Sequence, residues 1–363
     1  MPPSLPSPTP PRRVLLLQCR NVGDAVIGTG LVEALGRSAP SLELHVLTRA
    51  GFRPLYANSP YVAAVHDAEF PMGSGRRFGA AGAALLLRRV AALRRLRFDR
   101  VVNLCGDFRE NALGWAIAAR GNAGPVWPNG HAQRQHVRQG LTALVPGALH
   151  VAADAPGVYA AVQRLAASLG ATAPARQRLY DASRQPYLHR PQGGVVGLHP
   201  STSQPCKEWP LPRWKALIGM IREAGHAVVV FGAAAERERL AAVLGGMPGV
   251  ELATGSMETF FERLSRVAAF VGLDSFGIHA AHAIGVPSLM LNGANQADLV
   301  APPDTLVIDG GSGLPCHPCY SRPSCVAGPR PYACIRDIAE ARVMRGLRLL
   351  LEGRFPPGPA PKL

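Results

Sequence analysis

Apolar residues along this 363-residue chain follow two alternating patterns. In the second half, VVGLHP (195–200), HAVVVFGA (226–233), VELATG (250–255), AAFVGLD (268–274) and PSLMLNG (287–293) are short apolar runs without strict alternation. The segments between them space their apolar residues three and four apart. In PLPRWKALIGMIREAG, for example, Trp214, Leu217, Ile218 and Ile221 fall at i, i+3, i+4 and i+7. ERERLAAVLGG, METFFERLSRV and SFGIHAAHAIG continue the helical spacing. Unalternated strands separated by helices predict a parallel sheet covered on both faces. Such doubly wound α/β domains bind ligands at the carboxyl ends of their strands.

The first half repeats the plan with RRVLLLQC, LELHVLTRA and FDRVVNLCG as strands. Helices are expected over Asp24–Arg37, Ala80–Arg97 and Arg109–Arg120. The predicted organisation is a disordered Pro-rich tail (1–12), one Rossmann-like domain (13–175), a polar proline-punctuated linker (176–192), a second Rossmann-like domain (193–340), and a C-terminal helix and tail (341–363). The two domains are expected to face a central cleft.

Composition supports two packed cores: hydrophobic residues make up 47% and charged residues 17%. No apolar run approaches the roughly 20 residues that cross a bilayer. MPPSLPSPTPP reads as a flexible tail and not as a signal peptide, so a cytoplasmic location is expected. Charge is uneven: residues 1–190 hold 23 arginines, no lysine and 10 acidic residues, a balance of +13 out of +15. Either an anionic partner or an arginine-rich solvated surface accounts for this asymmetry. Nucleic acid is not the expected partner, because aromatics are 6% of the chain and no finger, RNA-recognition or helix-turn-helix pattern occurs. A nicotinamide-dependent oxidoreductase is disfavoured too, since CRNVGDAVIG lacks the G-x-G-x-x-G fingerprint.

Three stretches that follow strands carry candidate chemistry. In GLDSFGIHAAHA, Asp274 ends a strand, while Ser275, Phe276 and Gly277 open a helix whose free N–H groups suit an anion. A plain N-cap is the alternative. His279 and His282 share that helix, but without a third ligand they do not suggest a metal. In HPSTSQPCKEWP, Lys207 is one of three lysines among 39 basic residues, and it follows Ser201, Thr202 and Ser203. A compact ammonium beside hydroxyls suits a phosphate or diphosphate. In the first half, Asp24 is a carboxylate placed just after a strand. Phosphate-binding groups in one domain and a base in the other suit a transferase with a nucleotide diphosphate leaving group.

These stretches also carry a resemblance. GDAVIGTGLVEALGRSAPSLELHVLTRAG resembles the N-terminal signature of family 9 glycosyltransferases, the lipopolysaccharide heptosyltransferases. LHPSTSQPCKEWPLPRW resembles their donor loop, and VFGAAAERERL the turn whose glutamate, here Glu236, meets the nucleotide ribose. GLDSFGIHAAHAIGVPSLMLNG resembles the motif of Asp, Ser or Thr, Gly and a later His, here His279, around the sugar and diphosphate. The likeness spans about residues 13–340. There are two departures: Phe276 stands where the family has glycine, with Gly277 one place later, and Gly30 replaces a common proline.

The resemblance implies a GT-B fold and inverting transfer with no cofactor required for chemistry. It implies ADP-heptose as donor and the anionic glycolipid of the lipopolysaccharide inner core as acceptor, at the cytoplasmic face of the inner membrane. A different sugar donor, or a protein acceptor such as an adhesin, remains open. Asp24 would be the base. Ser201, Thr202, Ser203, Lys207 and Ser275 to Gly277 would meet the leaving group, and Asp274 the sugar hydroxyls. Residues 85–100, LLLRRVAALRRLRFDR, read equally as a peripheral membrane helix or as a domain helix with a solvated arginine face.

CHPCYSRPSCVAGPRPYAC places Cys316, Cys319, Cys325 and Cys334 at Cys-x₂-Cys-x₅-Cys-x₈-Cys, with His317 nearby. Four thiolates suit a structural zinc or iron, and packed thiols are the alternative. Cys19, Cys105 and Cys206 are scattered.

Overall fold

The computed structural model describes residues 13–68, 70, 79–104, 108–117, 122–126, 148–152, 157–320, 323–354 and 361–363. The tail 1–12, the end of the helix expected over Arg109–Arg120 and part of the C-terminal tail lie outside the described residues. The chain forms two compact units: Met1–Ala155 with Ala160–Arg176, and Pro156–Tyr159 with Gln177–Leu363.

In the first unit the strands are β1 (Arg13–Gln18), β2 (Glu43–Thr48), β3 (Val62–Asp67), β4 (Arg100–Asn103), β5 (Asn122–Val126) and β6 (Ala148–Ala152). They pair in parallel in the order β3-β2-β1-β4-β5-β6. The helix Val22–Ser38 is buried from Ala25 to Gly36, which explains why its sequence is apolar on every face. On the sheet's other side, Leu15, Leu17, Leu47, Leu93, Phe98 and Val101 form a core.

In the second unit the strands are β7 (Val196–His199), β8 (Val228–Ala233), β9 (Val250–Gly255), β10 (Ala269–Leu273), β11 (Ser288–Asn292) and β12 (Thr305–Asp309). Their order is β12-β11-β10-β7-β8-β9. Val196, Leu198, Val271 and Leu289 pack with Trp214, Leu217, Ile218 and Ile221 from the helix Leu211–Glu223, and with Leu347 from the helix Glu340–Leu351. The helical spacing in the sequence thus marks the core-facing side.

Both sheets reverse direction beside their first strand, giving the doubly wound order twice. The switch points lie between β1 and β4 and between β7 and β10, where such sheets hold ligands. The two Rossmann-like domains of the GT-B class are therefore present. Strands β3, β5, β6 and β12 and the helix Val158–Ser168 go beyond the elements expected from sequence. In β5, NAGPV carries glycine and proline, which depress strand propensity. In β3, VAAVHD buries only its first residue, so no continuous apolar run marks it. Between Ser168 and Val196 no helix or strand occurs, only an isolated bridge from Tyr180 to Pro186.

Candidate active site

Strand register builds the site of the second unit. His199 at the end of β7 pairs with Gly272 of β10, and Leu273 of β10 pairs with Leu291 of β11. The residues that follow, Asp274 after β10 and the loop after Asn292, therefore emerge at one end of the sheet, at the switch point.

Asp274 is the hub. Only 6% exposed, it accepts a hydrogen bond from Lys207 Nζ at 2.8 Å and another, on the same oxygen, from Asn295 Nδ2. Burial alone pushes its carboxyl up, but the charge and hydrogen bond of Lys207, with His279 and Asn295, outweigh that and hold it below the usual value. Lys207 follows a buried cysteine, and two residues later Trp209 is fully buried, with Nε1 donating to Ile338 O at 3.0 Å. Trp209 stacks edge to face on Trp214 at 5.0 Å. The turn carrying Lys207 is thereby fastened to the core by an aromatic anchor.

The helix Phe276–Ile284 starts beside this pair. Ser275 stands at its N-cap position, but its side chain does not cap the helix; its hydroxyl lies 3.4 Å from His199 Nδ1. The plain N-cap alternative therefore does not describe Ser275. Burial lowers the His199 pKa to about 4 against a weak opposing pull from Glu236, so the ring is neutral at physiological pH. Gly277 is required by close approach: a Cβ there would lie 2.8 Å from His199 Nδ1 and 2.9 Å from Phe270 Cζ. Phe276 points to other aromatics, with its ring 5.1 Å from Phe260.

Ser201 is buried, and its hydroxyl lies 3.5 Å from Arg239 Nη2. Arg239 also bonds Glu208 at 2.9 Å and lies 3.8 Å from Glu236. Glu236 accepts from Ala233 N at 2.8 Å. Thr202 accepts from Gln204 N at 3.4 Å, while Ser203 is exposed. His279 Nδ1 lies 2.7 Å from the Tyr159 hydroxyl, and His282 Nε2 lies 3.3 Å from Gln177 Oε1. Burial, then His279, lowers the His282 pKa to about 4.

Sequence reasoning missed Asn295, Arg239, Glu208, His199 and Tyr159. Asn295 had one readable signal, an Ala-Asn pair just past a glycine-ended strand. Tyr159 had none, because its partner His279 lies 120 residues along the chain, and the contacts of Arg239 with Glu208 and Ser201 are likewise distant in sequence.

In the first unit Asp24 occupies the first turn of the helix after β1, a favourable position for a carboxylate. It is half-buried and accepts from Asn21 Nδ2 at 2.8 Å. Arg49, at the end of β2, donates from Nε to Cys19 O at 2.7 Å, and its Nη2 is buried without a hydrogen-bond partner.

Cys316, Cys319, Cys325 and Cys334 are free thiols, and so is Cys206. Burial first, then the other cysteines, raises Cys319 to about 11; Cys334 also reaches about 11. Among the described residues no group of three or more His, Cys, Asp or Glu is arranged to hold a metal ion.

Comparison with known proteins adds the family. The profile of glycosyltransferase family 9 (heptosyltransferase) matches residues 86–328. Lipopolysaccharide heptosyltransferase 1 of Pseudomonas aeruginosa is 24% identical over 315 residues, 85% of this chain and 86% of the relative. The fold superimposes on the E. coli heptosyltransferase WaaC solved with ADP-2-deoxy-2-fluoro heptose, at TM-score 0.69 and 19% identity, covering 93% of this chain and 99% of that one. It also matches the iron-containing dodecameric glycosyltransferase TibC from enterotoxigenic E. coli, at TM-score 0.54 and 14% identity, covering 95% and 77%. With two thirds of its length matched by the family profile, and both doubly wound sheets in place, this chain belongs to glycosyltransferase family 9, the heptosyltransferases.

Proposed function

We propose that this chain moves a heptose from an ADP-heptose donor to a hydroxyl of the lipopolysaccharide inner core, with inversion at the anomeric carbon. The observation that carries the reading is the pair of half-buried Lys207 and buried Asp274 at the switch point of the second sheet, next to an uncapped helix start. Relatives named as lipopolysaccharide heptosyltransferases, and a structural neighbour that holds an ADP-heptose analogue, support the donor and the acceptor.

In this scheme the acceptor oxygen attacks the anomeric carbon as the bond from that carbon to the diphosphate breaks and ADP departs. Asp24 takes the acceptor's proton, a role that needs position more than basicity. Lys207, the hydroxyls of Ser201, Thr202 and Ser203, and the N–H groups from Ser275 to Gly277 meet the charge growing on the diphosphate. Asp274, already ionised by Lys207, accepts hydrogen bonds from sugar hydroxyls, with His279 beside it. Glu236 accepts from the ribose. No step routes through a metal, and a soft ion on the cysteines would be structural.

The helix Ala80–Arg95 supports a membrane-borne acceptor. Leu86, Val90 and Leu93 pack inward, while Leu85 and Leu87, 65% and 69% exposed, lie outward with Arg88 and Arg95. Exposed leucines among arginines suit the anionic face of the inner membrane. Among the described residues no helix is long and apolar enough to cross a membrane, so association there is peripheral in this reading.

The test is turnover of ADP-heptose with an inner-core acceptor by wild type and Asp24→Ala. The expected result is turnover that falls by about 10²–10⁴ in the variant while ADP still binds. A variant within about tenfold of wild type removes Asp24 as base.

A further inference from the structure

The cysteine-rich segment, set aside by the chemistry above, touches both members of the Lys207–Asp274 pair at one remove. On the aspartate side, Asn295 Nδ2 donates to Asp274. The backbone oxygen of Asn295 accepts from His317 Nε2 at 2.9 Å and from Asn292 Nδ2 at 2.7 Å. The preceding carbonyl, Ala294 O, accepts from both Cys319 N and Tyr320 N at 3.0 Å. On the lysine side, Cys206 Sγ, one residue before Lys207, points at Tyr320 O at 3.4 Å. Residues 317–320 thus grip the loop behind Asp274 with these three hydrogen bonds and a longer one from the Tyr320 hydroxyl to Gln296 Oε1 at 3.4 Å, and the turn behind Lys207 with the Cys206 contact. The approach is made possible at Gly311, where a Cβ would lie 2.3 Å from both His317 Cδ2 and Gly293 O.

One further detail fits a held loop. The Asn295 amide is oriented by its acceptor-only partner Asp274, which leaves its Oδ1 buried without a hydrogen-bond partner.

We propose that the segment Cys316–Tyr320 is a brace that sets the geometry of the Lys207–Asp274 pair, with His317 as its positioning residue. His317 acts through Asn295, whose backbone oxygen it holds, and through it on Asp274. The proposal rests on the reading that this pair meets the donor, but the brace itself can be read without any donor. It also gives Cys206 a place that its isolated position in the sequence conceals.

The experiment compares wild type, His317→Ala and His317→Gln by amide hydrogen exchange and by ADP-heptose titration. Glutamine keeps a donor near the Nε2 position, so it separates the hydrogen bond from packing. If the brace holds, His317→Ala speeds exchange by about fivefold not only in 292–297 but also in 204–209 and 273–278, segments that His317 does not touch, and His317→Gln restores protection. ADP-heptose affinity then falls by about tenfold in His317→Ala and recovers in His317→Gln. Faster exchange confined to 292–297 and 311–320 overturns the brace, as does equal loss of protection in both variants. Should His317→Ala fail to fold, Cys206→Ala is read instead, with faster exchange in 292–297 expected and unchanged exchange there overturning the proposal. Wild type that does not bind ADP-heptose while exchange spreads as described leaves the brace standing and removes the donor reading.

Discussion

At the scale of single residues, the second unit buries neutral imidazoles beside one ionised pair. His199 and His282 have pKa values lowered to about 4 from 6.5, chiefly by burial. The unfolded chain binds protons at these rings below pH 6.5, whereas the folded one does so only near 4. Their contribution is therefore complete above pH 6.5 and is lost as pH falls toward 4. The melting temperature should decline over that interval. In His199→Asn the slope should shrink by up to one proton's worth, about 1.4 kcal/mol per pH unit. An identical slope in that variant contradicts the burial account. Asp274 acts in the same direction at lower pH, because its depressed carboxyl stabilises the fold until protonated. Lys207 and Asp274 were both legible in the sequence, one from the scarcity of lysine and one from its place at a strand end. Their mutual hydrogen bond was not, because 67 residues separate them and only the β7–β10 pairing brings them together.

At the scale of elements, legibility tracked the continuity of apolar runs. Strands β1, β7, β8, β10 and β11 each present a largely continuous apolar run, since central parallel strands are covered on both faces. Edge strands such as β3 lack that signature, and β5 interrupts it with glycine and proline. The cysteine segment was visible as a metal-like spacing, but its hydrogen bonds to the loop after β11 depend on backbone atoms that no side-chain pattern encodes. The helix Ala80–Arg95 allows a prediction at this scale. Arg94 is committed to Ala116 O at 2.6 Å, so the membrane-facing charge is assigned to the exposed Arg88 and Arg95. Replacing both by Gln should weaken binding to vesicles containing anionic lipid by about tenfold or more, since each arginine near the surface contributes about 1 kcal/mol. Unchanged vesicle binding contradicts the assignment.

At the scale of the whole molecule, one architecture appears twice with different chemistry at its two switch points. The first sheet is followed by a half-buried carboxylate at a helix start, the second by a half-buried ammonium paired with a buried carboxylate, and by hydroxyls. The positive balance of the first 190 residues, +13 of +15, belongs to the half assigned the anionic acceptor. In the proposed reaction the second unit holds the nucleotide diphosphate of ADP-heptose through Lys207. Calorimetric titration with ADP, UDP and GDP on wild type and Lys207→Ala tests it most directly, with melting temperature followed alongside because Asp274 loses its cation in the variant. Preference for ADP is expected, with a loss of about 10- to 100-fold in the folded variant, the worth of one charged hydrogen bond to phosphate. Equal affinity in both proteins, or preference for UDP or GDP, would contradict it.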